Sequence, residues 1–207
     1  MTSPSDDAPA SPTRRAAVVG AGLIGSSIGL ALRARGWHVT GRDADPVVAD
    51  EALQAGALDV VGDDPEADVT FVATPLGATA AEVRRVLALP GLRPDAAVTD
   101  VAGVKAQVTA AVDDPRFVGG HPMAGSEQVG VHGADPELFV GATWVLTPTT
   151  GTAPAAFATV QAVVSSLGAE VLSLSPDQHD ALVAVVSHVP HLTAATLMNL
   201  ADRRAEE

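Results

Sequence analysis

The chain of 207 residues contains no cysteine and no tyrosine, and aromatic residues make up only 3% of it. The absence of cysteine excludes disulfides, thiolate nucleophiles and zinc–thiolate sites, and it fits a protein of the reducing cytoplasm. With so few aromatic rings, alanine, valine and leucine must fill the interior. Hydrophobic residues account for 47% of the chain, so we expect a buried core in one α/β domain, followed by a short additional element.

Positive charge is scarce as well, since 12 Lys and Arg stand against 25 Asp and Glu and the formal net charge is −13. This balance argues against nucleic acid and anionic membrane surfaces as partners. No uninterrupted apolar run approaches the roughly 20 residues of a membrane span, so no membrane association is expected. Residues 1–14 are polar, rich in Pro and Ser, and lack an apolar signal core, which predicts a flexible tail.

Short apolar segments alternate with segments of helical period along residues 15–175. The pattern predicts strands at 16–20, 37–43, 68–75, 96–101, 116–122, 142–148 and 169–175. It predicts helices at 22–36, 46–55, 79–89, 103–112 and 156–168. This alternation is typical of an α/β protein with a Rossmann-type, mostly parallel sheet and helices on both faces. In such sheets ligands bind beyond the carboxyl ends of the strands.

The segment 176–207 is predicted to form one long helix. Ser175 is a plausible N-cap, Asp177 would favour the helix N-terminus, and Pro190 is expected to kink the helix. The apolar face of this helix has no evident partner in the sequence. We therefore expect it to be the first element of a second, helical domain that is incomplete here.

The clearest motif is VVGAGLIGSSIG, in which Gly20, Gly22 and Gly25 have the spacing G-x-G-x-x-G. It follows a predicted strand and opens a predicted helix, which is the context required for dinucleotide binding. Gly20 permits the tight turn, Gly22 lets a pyrophosphate approach the backbone, and Gly25 lets helix and sheet pack closely. We expect the amides near Leu23 and Ile24 to point at the phosphates.

Asp43 ends the second predicted strand, 18 residues after Gly25, where a carboxylate receives the ribose hydroxyls of NAD. Its neighbour Arg42 is the kind of residue that receives the 2′-phosphate of NADP. A retained carboxylate would repel that phosphate, so we expect NAD rather than NADP. Thr74 and Pro75 end another strand on the same rim, and two interpretations stay open: they line the nicotinamide side, or they form an ordinary turn.

An enzyme that removes hydride from an alcohol needs a group that accepts the hydroxyl proton, and a neutral imidazole suits this task near neutral pH. Of the six histidines, His121 in GGHPMAGSE follows a strand that should end on the cofactor rim. This location favours His121 as the proton acceptor over a plain loop residue. His38 and His179 are expected to be structural or solvated, and His132 to lie at the surface.

The combination of VVGAGLIGSSIG, TDVAGVK, GGHPMAGSE and SHVPHL closely resembles the prephenate dehydrogenase family. The resemblance implies an NAD(P)-dependent oxidative decarboxylation of prephenate to 4-hydroxyphenylpyruvate, CO2 and NADH in tyrosine biosynthesis. Loss of CO2 restores aromaticity, so no metal is expected. The family has a Rossmann-type domain followed by a helical domain that forms the dimer. The helix at 176–207 is therefore expected to begin an α-helical dimerisation domain, and the whole protein to be a cytoplasmic homodimer.

The resemblance also implies roles for individual residues. His121 matches the catalytic histidine that hydrogen-bonds the ring hydroxyl, and Ser126 matches a substrate contact. Glu127 matches a carboxylate that orders the site, although a solvated loop charge is the alternative. His191, and less clearly His188, match histidines of the helical domain that bind substrate, with helix packing as the alternative for His188.

Two departures from the family pattern bear on activity. Gly103 stands where the family commonly has a Ser that hydrogen-bonds the substrate hydroxyl, and the arginine that clamps a substrate carboxylate would follow residue 207. Lys105 is expected to face solvent or to pack on a helix. Three hypotheses stay open: a dehydrogenase acting on prephenate or on its amino counterpart arogenate, a nucleotide-binding module without catalysis, and a Rossmann dehydrogenase of the hydroxyacid type.

Overall fold

A computed structural model describes residues 14–205, without the side chains of His188, His191 and 199–205. The tail predicted at 1–14 therefore lies, apart from its last residue, outside the described residues. The strands are β1 (Arg15–Val19), β2 (His38–Arg42), β3 (Val60–Val61), β4 (Val69–Val72), β5 (Ala97–Asp100), β6 (Phe117–Pro122), β7 (Thr143–Thr147) and β8 (Glu170–Ser173). The helices are α1 (Leu23–Arg33), α2 (Pro46–Gln54), α3 (Leu76–Leu87), α4 (Ala106–Ala110), α5 (Pro154–Ser166), α6 (Pro176–Val183) and α7 (Val189–Ala205).

The strands form one sheet in the order β3-β2-β1-β4-β5-β6-β7-β8. All neighbours are parallel except β6 and β7, which pair antiparallel from Gly119 opposite Thr147 to Pro122 opposite Trp144. The connection between these two strands holds only a short 3-10 turn, Val131–Gly133, so the chain returns without a crossover helix. The mostly parallel, Rossmann-type sheet predicted from the sequence is confirmed.

Apolar residues alternate between the two faces of the sheet and make two cores. Val18 shares one core with Ile28 of α1 and Val160 of α5, whereas Val19 shares the other core with Val83 of α3 and Val108 of α4. The predicted placement of helices on both faces is thus confirmed. Each of these buried aliphatic side chains contributes about 1.5–3 kcal/mol of transfer free energy, so the sheet forms a rigid base for the loops at its carboxyl edge.

The predicted C-terminal helix is interrupted. Ser175 caps α6 in a capping box with Gln178, as its sequence position indicated. A π turn, Ala184–His188, then separates α6 from α7, so the irregularity precedes Pro190 rather than following it. Proline has no amide hydrogen and its ring collides with the carbonyl four residues earlier, so the wider turn before Pro190 absorbs that conflict.

The helical segment exposes a row of large apolar side chains. They include Leu182, Val185, Val186, Val189, Leu192, Leu197 and Met198, which are between 39% and 68% exposed. The helix Pro176–Met198 contains an 18-residue stretch with a mean hydropathy of 1.5 and is, by length and composition alone, long and apolar enough to span a membrane. It does not stand out as an uninterrupted apolar run, because polar residues within it, among them Ser187, His188 and His191, divide it into short apolar pieces. A single such helix is weak evidence, since core helices pass the same measure.

Two elements differ from the prediction in an informative way. β3 was not predicted, because its two exposed valines are too few to show a period. Helix α3 begins at Leu76, three residues before the predicted start, because Pro75 ends the extended segment and occupies the N-cap position. The other predicted strands and helices are present, with ends that differ by a few residues.

Candidate active site

A cleft of about 580 Å³ opens where the carboxyl ends of β1 and β4 diverge, the point at which the strand order reverses. Open α/β sheets bind their ligands at switch points of this kind. All of the residues predicted to bind the cofactor except Gly25 line this cleft: Gly20, Gly22, Leu23, Ile24, Arg42, Asp43, Thr74 and Pro75.

Glycine is needed in the loop between β1 and α1 for two different physical reasons. Gly20 has a φ of +95°, and a Cβ on it would lie 2.5 Å from the carbonyl oxygen of Ala73. A Cβ on Gly25 would overlap the carbonyl oxygen of Gly20. A Cβ on Gly22, in contrast, would meet no heavy atom within 4 Å, because this residue faces the open cleft. Packing therefore requires Gly20 and Gly25, while Gly22 leaves room for a ligand to touch the backbone.

The N-terminus of α1 faces the same space. Gly22 is its N-cap and carries no side chain that could cap the first turn. The first amide hydrogens of an α-helix, here those of Leu23 and Ile24, have no acceptor within the helix. Together with the helix dipole they favour an anion at this end of the cleft.

Asp43 lies at the end of β2, where its carboxylate is held by two backbone amides. One oxygen accepts from Ala21 at 2.7 Å and the other from Asp45 at 3.0 Å. The first bond joins the carboxylate to the glycine loop itself. A ligand that spans the loop and the end of β2 would therefore meet a carboxylate with a fixed position.

Arg42 also lines the cleft, but its guanidinium is engaged by acids. It donates to Asp63 at 3.1 Å and to Glu82, and Arg85 bridges the same two carboxylates at 2.7 Å and 2.9 Å. The hydrogen bond from Arg85 outweighs partial burial and holds the pKa of Asp63 below its usual range. Two carboxylates thus balance the charge of Arg42, which makes it a poor receptor for a further phosphate.

Thr74 and Pro75 form a turn and line the cleft at the same time. The Thr79 hydroxyl donates to the carbonyl of Thr74 at 3.1 Å and to that of Pro75 at 3.2 Å. These bonds tie the end of the strand to the first turn of α3. Both interpretations of the sequence therefore remain compatible with the geometry.

His121 lies near the end of β6, half-buried, and contacts a second imidazole. Its Nδ1 is 2.9 Å from Nε2 of His179, and the ring planes are 74° apart. His179 belongs to α6 and is fully buried. Its other nitrogen, Nδ1, is 2.7 Å from the Asp180 carboxylate. The three side chains form a continuous chain from β6 to the first helix beyond the sheet.

Asp180 is held in turn by the backbone at the start of α4. Its two oxygens accept from the amides of Lys105 at 2.7 Å and Ala106 at 2.9 Å. Burial by itself would raise the pKa of Asp180, but these two amides and His179 outweigh it, and the pKa is lowered. Asp180 is therefore a carboxylate at neutral pH.

Lys105 corrects an expectation, because it neither faces solvent nor packs as a helix-surface residue. It is fully buried and forms an ion pair with Asp100, which is also fully buried. Its Nζ donates to the carbonyl of Gly120 at 2.6 Å, and the Gly120 amide donates to Asp100 at 3.1 Å. Burial lowers the pKa of Lys105 against the opposing effect of Asp100. The pair thus clamps the residue that precedes His121.

Gly103 lies beside the catalytic candidate. A Cβ on Gly103 would be 3.6 Å from Nε2 of His121, an ordinary van der Waals distance. Val101, two residues earlier in the same segment, lines the cleft. The segment between β5 and α4 therefore connects the cleft to the imidazole of His121.

The remaining residues predicted to bind substrate are not seen to lie beside His121 or in the cleft. Ser126 and Glu127 are exposed in the loop after β6, and the Ser126 hydroxyl accepts from the Gln128 amide at 3.1 Å. Ser126 lines a separate surface pocket of about 480 Å³ rather than the cleft. The backbone of His188 ends the π turn and that of His191 lies in α7, while both side chains fall outside the described residues.

Of the other histidines discussed so far, His132 and His38 agree with the prediction, whereas His179 does not. His132 is exposed in the 3-10 turn, as predicted, and half-buried His38 lies 3.7 Å from Asp59, in keeping with a structural role. His179 was not expected at the site. Its burial could have been predicted, because it lies four residues before Val183 on the same side of α6. The sequence does not indicate, however, that this side of the helix contacts His121. Among the side chains that the structure describes, which exclude those of His188, His191 and 199–205, no group of three His, Asp or Glu residues converges as metal ligands.

The switch-point cleft, the glycine loop and the acidic end of β2 define a Rossmann-type nucleotide-binding domain. Comparison with known families agrees and is more specific. Residues 28–173 match the nucleotide-binding domain of prephenate dehydrogenase, and residues 175–207 match its dimerization domain. The chain belongs to the prephenate dehydrogenase family.

Two characterised relatives show the extent of the similarity. The prephenate dehydrogenase of Bacillus subtilis (strain 168) is 34% identical over 194 residues, which cover 88% of this chain and 52% of the relative. The cyclohexadienyl dehydrogenase of Zymomonas mobilis is 32% identical over 195 residues, which cover 89% of this chain and 66% of the relative. The chain thus spans about half the length of the Bacillus relative.

Solved structures give the same family. The prephenate dehydrogenase from A. aeolicus, in complex with hydroxyphenyl propionate and NAD+, superposes with a TM-score of 0.84 at 29% identity, over 92% of this chain and 70% of that one. The Synechocystis arogenate dehydrogenase superposes with a TM-score of 0.79 at 34% identity, over 90% and 68% of the two chains.

Proposed function

We propose that this protein catalyses the NAD-dependent oxidative decarboxylation of prephenate to 4-hydroxyphenylpyruvate, CO2 and NADH. Residues 15–175 would bind the cofactor, and 176–207 would begin the helical substrate and dimerisation domain of a cytoplasmic homodimer. The observation that carries the proposal is the position of His121, whose Nε2 faces a segment that also lines the nucleotide cleft. Family membership supports the same reaction.

The residues of the cleft fit NAD. The open space at Gly22 and the N-terminus of α1 suit a pyrophosphate, and Asp43 is placed to receive the ribose hydroxyls. The acids around Arg42 disfavour the additional phosphate of NADP. When bound, NAD+ supplies an acceptor for the hydride that leaves the ring carbon bearing the substrate hydroxyl.

His121 would then accept the proton of the substrate hydroxyl and later return it. As hydride departs from the ring carbon, His121 accepts the proton of the hydroxyl on that carbon, so a carbonyl forms. The bond to the ring carboxylate breaks, CO2 leaves, and its electron pair passes through the ring to the carbonyl oxygen. The oxygen recovers the proton from His121 and the product is a phenol, so no net proton is released. Ser126, Glu127, His188 and His191 are proposed to hold the substrate from the loop and the helical domain.

The deciding experiment follows NADH formation from prephenate by the natural full-length protein. His121→Asn should lower kcat by about 10²–10⁴-fold, the usual contribution of a general base. His132→Asn is the matched control, because this histidine is exposed and lines neither the cleft nor the pocket of Ser126, so the variant should keep full activity. Turnover without CO2 release would identify a dehydrogenase of the hydroxyacid type instead, so CO2 is trapped in the same assay.

Arogenate is a second substrate for the same assay. The similarity to an arogenate dehydrogenase and to a cyclohexadienyl dehydrogenase favours testing this compound, which carries an amino group in place of the keto oxygen. The ratio of kcat/KM values for the two substrates decides between them. The absence of a serine at position 103 also supports a nucleotide-binding module without catalysis. NAD binding without turnover of either substrate would establish that alternative.

A further inference from the structure

We propose that Asp180 and His179 are positioning residues that fix the tautomer of His121, so that its Nε2 is the nitrogen that accepts the substrate proton. The proposal rests on the proposed function only for its consequence in catalysis. The tautomer itself is a property of the folded chain and can be measured without substrate or cofactor.

The argument begins with the carboxylate of Asp180. Its Oδ1 accepts from the Lys105 amide, its Oδ2 accepts from the Ala106 amide, and Oδ1 also lies 2.7 Å from Nδ1 of His179. An ionised carboxylate has only acceptor sites. Nδ1 of His179 must therefore carry a hydrogen and donate it to Asp180.

The second step concerns His179. A neutral imidazole with a hydrogen on Nδ1 has a lone pair on Nε2, and that nitrogen can only accept. His179 is fully buried, and the proposal takes its ring as neutral, with a single hydrogen. Its Nε2 lies 2.9 Å from Nδ1 of His121. Nδ1 of His121 must then be the donor.

The third step assigns the reactive nitrogen. A neutral His121 with its hydrogen on Nδ1 keeps a lone pair on Nε2, and Nε2 is the atom next to Gly103 and the segment that lines the cleft. When Nε2 accepts a proton, the positive charge of His121 is linked through His179 to the negative charge of Asp180. The chain of hydrogen bonds thus orients His121 before the reaction and stabilises its charged form during it.

One alternative reverses the assignment. If His179 were a cation paired with Asp180, both of its nitrogens would donate. Nδ1 of His121 would then accept, and the hydrogen of a neutral His121 would sit on Nε2, where it would prevent proton uptake. The two arrangements predict opposite tautomers for His121, so a single measurement separates them.

The measurement is a long-range ¹H–¹⁵N correlation spectrum of histidine-labelled protein at about pH 8.5, well above the unperturbed histidine pKa near 6.5. The signals of His121 are assigned from the spectrum of His121→Asn. We expect both His121 and His179 with the hydrogen on Nδ1. A hydrogen on Nε2 of His121 would overturn the proposal, whatever the activity of the protein.

A pair of variants tests the role of Asp180. Asp180→Asn removes the acid that orients His179 and should give His121 a mixture of tautomers. Asp177→Asn makes the same change of charge on an exposed residue of the same helix and should leave the spectrum unchanged. An unaltered His121 in Asp180→Asn would contradict the proposal. If this variant does not fold, the spectrum of the unchanged protein still decides the tautomer.

The kinetic consequence is that loss of either positioning residue lowers kcat but leaves the affinity for NAD unchanged. In the full-length enzyme, Asp180→Asn and His179→Phe should lower kcat by about 10–10³-fold while the Kd for NAD stays within about twofold, because neither residue lines the cleft. An equal loss of NAD affinity would indicate a structural role and overturn the assignment. A full-length protein with no turnover at all, but with the expected tautomers, would refute the proposed function and leave the hydrogen-bond chain established.

Discussion

At the scale of single residues, the proposed reaction depends on the space beside Nε2 of His121, where the substrate hydroxyl would be held. Gly103 borders that space and offers no hydrogen-bonding side chain, whereas the family resemblance implies a serine there. The backbone of Gly103 does not lie in the left-handed region, and a Cβ on it would meet His121 at an ordinary contact distance. A Cβ at this position therefore fits without strain.

Gly103→Ser should accordingly raise kcat/KM for the ring substrate. A new hydrogen bond to the substrate hydroxyl contributes about 0.5–1.5 kcal/mol, which corresponds to roughly two- to twelvefold. The measurement is the steady-state rate in the full-length protein. Gly103→Ala is the matched control, since it fills the same space without a hydroxyl. An equal gain in both variants would show that backbone stiffening, and not the hydrogen bond, causes the effect.

The site residues that the sequence predicted differ in one respect from those that it did not predict. The glycines, Asp43 and His121 belong to local motifs next to strand ends, so their roles follow from short patterns. His179 meets His121 across 58 positions, and the amide of Lys105 meets Asp180 across 75 positions, while the neighbours of both residues in the sequence suggest a helix surface. Contacts of this range are not encoded in any local period.

At the scale of elements, β2 and α3 together determine which cofactor fits. Arg42 ends β2 and Asp43 follows it, and α3 supplies Glu82, which accepts a hydrogen bond from Arg42. Arg42 is thereby neutralised by an element that lies 40 positions further along the chain. The sequence alone left Arg42 open as a phosphate receptor, because only the packing of α3 brings the acid to it.

Glu82→Gln should shift cofactor preference toward NADP. Removing one of the two acids that engage Arg42 leaves about 1 kcal/mol more attraction for a phosphate at a partly exposed site, or roughly fivefold in Kd. NAD affinity should stay within about twofold. Both constants are obtained by calorimetric titration. Glu66→Gln, in the turn before β4, makes the same charge change on an exposed residue and should alter neither constant.

At the scale of the whole molecule, α6 and α7 expose a row of large apolar side chains. Its members have no cover within the described residues, and the segment matches the dimerization domain of the family. Burying one leucine side chain contributes about 1.5–3 kcal/mol, so a few of them from two copies suffice for stable association.

Leu192→Lys combined with Leu197→Lys should therefore raise the apparent dissociation constant of the dimer at least about tenfold. Both side chains are more than 60% exposed in α7. Sedimentation velocity over a range of protein concentrations measures the effect. Val129→Lys changes an apolar residue that is 83% exposed in the loop after β6, and it should leave association unchanged. Dimers that persist in the double variant would place the interface elsewhere.

The sequence by itself determined the α/β class, nearly every strand and helix, the glycine loop, Asp43 and the candidate His121. These features depend on periods and spacings within about 30 residues, which is the range of one βαβ unit. Only the tertiary structure decided that α6 folds back onto α4, which brings His179 and Asp180 behind His121 and buries Lys105 under it. The physical reason is that a hydrogen bond between distant elements depends on how those elements pack, and packing is a property of the whole core rather than of any one segment.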